Sequence, residues 1–300
     1  MSISQWLYLV VLSVLWGGSF FFVGVAVHDV PPLTLVFLRV ALAALALLPL
    51  ALMMRLSFPM TLAAWAPFAG MAVLNNIIPF GLITVGQSQI ASGLASIINA
   101  TTPLWTVVIA HVLTDDDKLT VNRAAGVVIG VCGVAVLMGP AALTGQASSL
   151  FGMACVLGAT ISYGFAGLWG RRLRETPPIL TATCQLAASS VLLLPAVAVF
   201  ESEWQVSTLS YGTALAILGL AVLSTSLAYI VFFHILSVSG PTNVMLVTLL
   251  IPVSAVVLGV AFLNETLLAQ HIAGAAVIGS ALLIFDGRPV AWLRGLSAKP

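Results

Sequence analysis

The sequence predicts an all-α integral membrane protein: ten transmembrane helices built as two inverted five-helix repeats, with both termini cytoplasmic. Three observations predict it. Of the 300 residues 61% are hydrophobic and only 6% charged, where a soluble domain carries about a quarter charged residues. The apolar residues gather into ten continuous runs, each close to the roughly 20 residues needed to cross a hydrocarbon core about 30 Å thick. When these runs are threaded alternately through a bilayer, every Lys and Arg outside them falls on one side.

The runs cover residues 5–27, 33–54, 63–85, 90–113, 121–138, 150–170, 179–200, 211–233, 242–262 and 267–285. Continuous runs of this length read as helices, because lipid offers backbone groups no other open solution and barrel strands would alternate over shorter segments. The first run follows Met-Ser-Ile-Ser-Gln-Trp. It has no basic n-region and is too long for a signal-peptide core, so it is expected to stay as the first span. Pro31-Pro32 opens the second run, Asn75-Asn76 and Pro79 interrupt the third, and Thr102-Pro103 breaks the fourth. Gly126, Gly130 and Gly133 in the fifth run, and Gly164, Gly167 and Gly170 in the sixth, give small-residue faces for close helix contact. Pro177-Pro178 opens the seventh run, the eighth carries Tyr229, Pro252 breaks the ninth, and the tenth follows Asn264-Glu265.

Arg55, Lys118, Arg123, Arg171, Arg172, Arg174, Arg288, Arg294 and Lys299 share one side, whereas the other holds only Asp29, Glu201, Glu203 and Glu265. The positive-inside rule makes the first side cytoplasmic. The two halves also correspond. Pro31-Pro32 matches Pro177-Pro178, Pro49 matches Pro195, Pro103 matches Pro252, Asp116 matches Glu265, and Arg123-x-x-Gly126 matches His271-x-x-Gly274. Five spans per copy is an odd number, so the second copy enters the membrane upside down, the inverted-repeat plan of secondary transporters with a midplane site. The repeats are expected at residues 1–140 and 148–287, followed by a basic cytoplasmic tail at 288–300.

The 5+5 arrangement, Leu15-Trp16-Gly17-Gly18-Ser19-Phe20, Leu38-Arg39, the proline-broken fourth and ninth spans, and Asn264-Glu265 before Gly274 resemble the EamA type of the drug/metabolite transporter superfamily. Within it, the resemblance is greatest to the YddG group of aromatic amino-acid exporters. It implies a transporter in the cytoplasmic (inner) membrane, not an enzyme, that exports small metabolites, aromatic and other amino acids among them, by alternating access. Its partners would be a small-molecule solute and the lipid bilayer, with no cofactor; a monomer is admissible and the oligomeric state is left open. Export of another neutral metabolite or a drug is the runner-up.

Polar residues inside spans are costly and therefore candidate site residues. Ser92, Ser96, Asn99, Pro103 and Thr106 form one stripe in the fourth span, where Pro103 would free a carbonyl near Asn99 for a ligand or a neighbouring helix. Pro241, Met245, Thr248 and Pro252 repeat it in the ninth, with Thr248 in the place of Asn99. Asn75 and Asn76 in the third span cannot both be satisfied cheaply by one neighbour, and Asn76 is assigned to the solute. Trp16, Phe20, Phe80, Tyr163 and Tyr229 are expected to wall the cavity against a ring-bearing solute. Trp105 and Trp169 lie at comparable depth, and Trp6, Trp65 and Trp292 suit the interfacial belt. The substrate-contacting set is therefore Trp16, Phe20, Asn76, Phe80, Ser96, Asn99, Pro103, Tyr163, Tyr229 and Thr248. Arg39 is the only charge deep within a run, Arg123 lying in the first turn of the fifth. It receives a solute carboxylate, or it snorkels outward or satisfies broken-helix carbonyls, and its repeat counterpart Gln185 favours the structural role in a shared packing niche.

All nine acidic residues sit in loops or at helix ends, so no buried carboxylate is at hand for a proton relay or a lipophilic cation. No Lys/Arg cluster suggests sugar phosphates or nucleic acid. A neutral or zwitterionic solute, moved down its own gradient, is what remains. Cys132, Cys155 and Cys184 are isolated and read as packing residues. His28, His111, His234 and His271 share no ligand spacing, and Asp115-Asp116-Asp117 reads as a solvated turn rather than a metal site. No G-x-S-x-G, H-E-x-x-H or acidic pair suggests an intramembrane enzyme.

Overall fold

The computed structural model describes residues 3–115, 120–143, 147–206, 209–244 and 246–286. All regular structure among these residues is helical. In chain order it consists of α1 (Ile3–Ala26), α2 (Pro32–Met53), α3 (Leu62–Met71, a π-helical turn at Ala72–Ile77, then Ile78–Gln87) and α4 (Ser92–Asn99 and Thr102–Leu113). There follow α5 (Val121–Leu143), α6 (Ala147–Trp169), α7 (Pro178–Phe200), α8 (Tyr211–Leu218, a π-helical turn at Gly219–Leu227, then Ala228–Val244), α9 (Val247–Leu263) and α10 (Ala269–Asp286). Seven of the described helices, α1–α4 and α6–α8, contain stretches long and apolar enough to cross a membrane. Val121–Val136, Val247–Leu263 and Ala269–Ile284 are apolar but shorter.

Local chemistry sets the helix ends. Proline opens α2 and α7, where its fixed φ suits the first turn and its missing N–H costs nothing. Thr61 caps α3 by accepting from Ala64 N, and Ser210 caps α8 by accepting from Thr213 N. At its far end α9 stops on Asn264, which takes the left-handed conformation with φ 55°. One expected boundary moves. The Gly240-Pro241 pair does not end α8, which continues to Val244, so Pro241 and Thr242 belong to α8 and α9 begins at Val247. In lipid a breaking pair leaves backbone groups without water to turn to, and a helix that can persist does so. Met245, Asp116, Asp117, Lys118 and the tail with Trp292 lie outside the described residues.

Both π-helical turns fall in the third helix of their half. Each holds a polar cluster, Asn75-Asn76 in α3 and Ser224-Thr225-Ser226 in α8. The hydroxyls of Thr225 and Ser226 donate to carbonyls five residues back, on Leu220 and Ala221, so the side chains complete the widened turn themselves. Such insertions re-aim the residues around them and are frequent at functional sites.

Packing divides the helices into two groups. Helix α1 lies against α9 and α8, and α6 lies in the same way against α4 and α3. The pairs α2–α7 and α5–α10 complete the arrangement. Exchanging the first five helices for the last five maps this contact pattern onto itself. Close approach is achieved with glycine. A Cβ on Gly17 would lie 2.7 Å from Ser254 Cβ and 2.9 Å from Ala255 N of α9, and one on Gly164 would lie 3.2 Å from Thr106 N of α4. Hydroxyls add bonds between helices: Ser13 meets Ser254 at 3.0 Å, and Ser162 donates to Leu74 O at 2.7 Å. Bonds of this kind are worth about 0.6 kcal/mol each in a membrane, so shape, more than polarity, holds the helices together. The outward faces are apolar, with Leu45, Leu52, Val191 and Phe262 well exposed. Cys155 and Cys184 are buried, but Cys132 is exposed and so is not the packing residue expected.

Candidate functional site

Between the α1–α8–α9 group and the α3–α4–α6 group, closed at the sides by α2 and α7, lies a cavity of about 630 Å³. It reaches the surface at the α6–α7 connection, where Arg174 and Pro178 line it and are exposed. Its inner end is walled by Trp16, Phe20, Phe80, Tyr163 and Tyr229, with Asn99 of α4 and Thr248 of α9 facing it from corresponding helices. These seven expected residues come together.

Asn76, Ser96 and Pro103 do not line the cavity, and each has a physical reason. Asn76 is fully buried, with its Nδ2 donating to Ser189 Oγ of α7 at 2.9 Å. The π-helical turn separates the adjacent amides and presents Asn75 instead, whose Nδ2 donates to Tyr229 OH at 3.2 Å and to Gln185 Oε1 at 3.4 Å. Ser96 is also fully buried and donates to Gly93 O within its own helix. Pro103 is buried behind the break. The carbonyl it leaves without a backbone donor, on Asn99, is taken at 2.7 Å by the hydroxyl of Thr102, so it is not offered to a ligand. Of the other tryptophans, Trp169 donates to Pro67 O and stacks on Arg172, while Trp105 is half-buried outside the cavity.

Arg39 is packed inside the protein and also borders the cavity. It neither snorkels nor meets a broken-helix carbonyl. It is 6% exposed and lines the cavity, its Nε donating to Thr225 Oγ1 at 3.0 Å and its guanidinium lying 3.6 Å from the centre of the Phe80 ring. Its counterpart Gln185 lines the same cavity. Thr225 and Ser224 escaped the sequence reading; the signal was three consecutive hydroxyl residues in an apolar run, whose directions no regular helix could satisfy together. Aromatic pairs line the rest, Trp16 with Phe232 at 5.4 Å and Tyr229 stacked with Phe233 at 6.0 Å. Two polar atoms of this lining, Asn99 Oδ1 and Ser224 Oγ, have no hydrogen-bond partner. Among the described residues the lining contains no Asp or Glu, and no three His, Cys, Asp or Glu side chains gather as a metal site would need.

The end of the bundle away from the opening is sealed by carboxylates at helix starts. Glu265, just beyond α9, accepts from Ser92 N at 2.6 Å and Gly93 N at 3.0 Å at the start of α4. Glu201, just beyond α7, accepts from Leu33 N, Thr34 N and Thr34 Oγ1 at the start of α2, at 3.1, 2.7 and 2.7 Å. Asp29 accepts from the Thr213 and Ser210 hydroxyls at the start of α8. Gln87 at the end of α3 reaches across to Phe20 O of α1 at 2.8 Å. Negative charge at a helix N-terminus satisfies orphan N–H groups and the helix dipole together.

The EamA-like transporter family matches the chain twice, over residues 4–139 and 150–285. Among relatives, the uncharacterized transporter YoaV of Bacillus subtilis is 26% identical over 275 residues, covering 90% of this chain and 92% of that one. The uncharacterized inner membrane transporter YedA of Escherichia coli is 25% identical over 260 residues, 86% of this chain and 83% of its own. A Salmonella typhimurium protein described as "Probable amino-acid metabolite efflux pump" is 27% identical over 290 residues, 90% of this chain and 91% of its own. A solved crystal structure shares the fold with a TM-score of 0.65 at 16% identity, covering 95% of this chain and 98% of that one. The chain is a multi-pass membrane protein and belongs to the EamA-like transporter family.

Proposed function

We propose that this transporter exports aromatic and other amino acids across the cytoplasmic (inner) membrane, in the manner of the YddG group, by alternating access and down the solute's own gradient. The observation that carries the reading is the chemistry of the cavity: aromatic rings, neutral amides and hydroxyls surround one buried cation, without an acidic side chain among the described lining residues. Rings suit an aromatic side chain, and the neutral polar groups suit the ends of a zwitterion. The Salmonella relative carries an amino-acid efflux name, which points the same way.

On this reading the chain crosses the bilayer ten times, as inverted repeats at 1–140 and 148–287. Helix α9 has 17 residues, about 26 Å at 1.5 Å per residue, which nearly spans a 30 Å core. The distribution of Lys and Arg puts both termini and the α6–α7 connection in the cytoplasm. The cavity then opens inward, ready to load a solute for export, while Glu265, Glu201 and Gln87 close the outer side. The packing favours α1–α8–α9 and α3–α4–α6 as the moving bodies, each drawn from both halves of the sequence. Lacking an intramembrane carboxylate, the cavity has no usual carrier for a coupled proton.

Purified protein in liposomes tests this. Labelled phenylalanine, tryptophan and a panel of other amino acids should show counterflow, and an imposed pH difference should drive no net accumulation. Absence of counterflow for every amino acid would refute the substrate class, and accumulation against a gradient would refute the facilitative mode.

A further inference from the structure

We propose that Arg39 is the receptor for a solute carboxylate, and that the cavity selects singly charged monocarboxylates whether or not they carry an amino group. The inference rests on the amino-acid reading and narrows it to one subsite with a definite ligand chemistry.

A guanidinium has five N–H donors in a planar fork. At Arg39 the Nε donates to Thr225 and one face lies on Phe80, while among the described residues the terminal nitrogens donate to no protein acceptor. Phe80 and Thr225 hold the plane in place from two elements, so the fork is oriented before a ligand arrives. A buried cation is ordinarily paired, because removing charge from water is costly without a counter-charge. Here the cavity lining supplies none among its described residues. An incoming carboxylate completes the set through two parallel, charge-assisted bonds to the open edge of the fork. A ring on the same solute then lies against Tyr163, Tyr229 and Phe233, which line the cavity with Arg39.

The charge balance sets the class. One buried cation neutralises one carboxylate, and a phosphate dianion or dicarboxylate would carry a second charge into the buried end, the other cation of the lining, Arg174, being exposed at the opening. The solute's ammonium meets no acidic side chain among the described lining residues, only neutral polar groups. These do not repay its desolvation as a carboxylate would, so losing it costs little. An amine lacking the carboxylate places like charge beside Arg39, which is strongly disfavoured.

The probes are phenylalanine, 3-phenylpropanoate, phenylalaninamide, phenethylamine and benzylmalonate, competing for binding to purified protein read by the fluorescence of Trp16 and its neighbours, and for phenylalanine counterflow in liposomes. Phenylalanine and 3-phenylpropanoate should compete within about threefold of each other, and the amide, amine and dicarboxylate at least about tenfold more weakly. Arg39→Gln should abolish the preference for carboxylate over amide. Arg39→Lys should keep the preference but weaken binding, since an ammonium lacks the fork. If neither variant folds, the competition series on the unaltered protein decides. Equal competition by amide, amine and carboxylate, or no binding of any probe, overturns the carboxylate subsite. Counterflow of phenylalanine with equal competition leaves amino-acid export standing and removes Arg39. Carboxylate-selective binding without counterflow does the reverse.

Discussion

Replacing Glu265 by Gln should open the side of the protein that is sealed in this structure. Its carboxylate joins the end of α9 to the first two free N–H groups of α4, at 2.6 and 3.0 Å, and so links the two three-helix groups away from the cavity opening. Separation of the groups there must break both bonds, whereas the opposite movement leaves them intact. Gln keeps the size and one acceptor but loses the charge. A charged cap is worth about 1–2 kcal/mol, combining the hydrogen bonds with the helix dipole. If the contact exists in one state only, the part of that energy lost with the charge enters the equilibrium between states, a factor of up to roughly 5–30. Ser96 lies one turn behind the seal and is fully buried, so a cysteine at Ser96 reports the opening. In purified protein with Cys132, Cys155 and Cys184 replaced by Ala, Glu265→Gln should raise the labelling rate at that position by about the same factor. A labelling rate that stays within twofold while the thermal midpoint falls would refute the gating role and leave Glu265 as a local cap.

Three further outcomes are expected. Asn99→Ala removes a polar side chain from the cavity lining and should slow counterflow about tenfold, the value of one hydrogen bond of about 1.5 kcal/mol, with membrane insertion unchanged; normal transport would make it helix glue. Single cysteines at Pro300 and in the Arg171–Arg174 segment should resist an impermeant thiol reagent added to intact cells, and labelling from outside would reverse the orientation. Gly17→Ala brings a Cβ within 2.7 Å of Ser254 Cβ and 2.9 Å of a backbone nitrogen, an overpacking worth about 1–3 kcal/mol; it should lower the thermal midpoint in detergent, whereas Gly81→Ala, with nothing within 4 Å, should not.

The fold class was legible because composition and run length are properties of single segments. Lipid permits few ways to satisfy a backbone, so an apolar run of the right length already names its conformation. Boundaries were less legible where a local signal competed with that rule, as at Gly240-Pro241, which ends a helix in water but lies within α8 here. The aromatic wall was also legible, since Trp16, Phe80, Tyr163 and Tyr229 are too large and too deep to be placed in many ways.

The polar part of the cavity was not legible, and the cause is specific. A stripe of polar residues is counted on a helix of constant pitch, but α3 and α8 each widen by a π-helical turn at their polar cluster. That turn sends Asn76 toward Ser189, puts Asn75 on Tyr229, and points Thr225 at Arg39. The surroundings of Arg39 were hidden for a related reason. Snorkelling is an answer for an arginine that faces lipid, and which way α2 faces depends on its partners α7 and α8, which lie far along the sequence in the other half. With that face turned inward, the side chain packs on Phe80 and Thr225 inside the protein instead of reaching outward. Glu201 and Glu265, which read as ordinary loop acids, change meaning in the same way: each is a cap for a helix in the other half of the sequence, and their pairing exists only once the two halves have folded together.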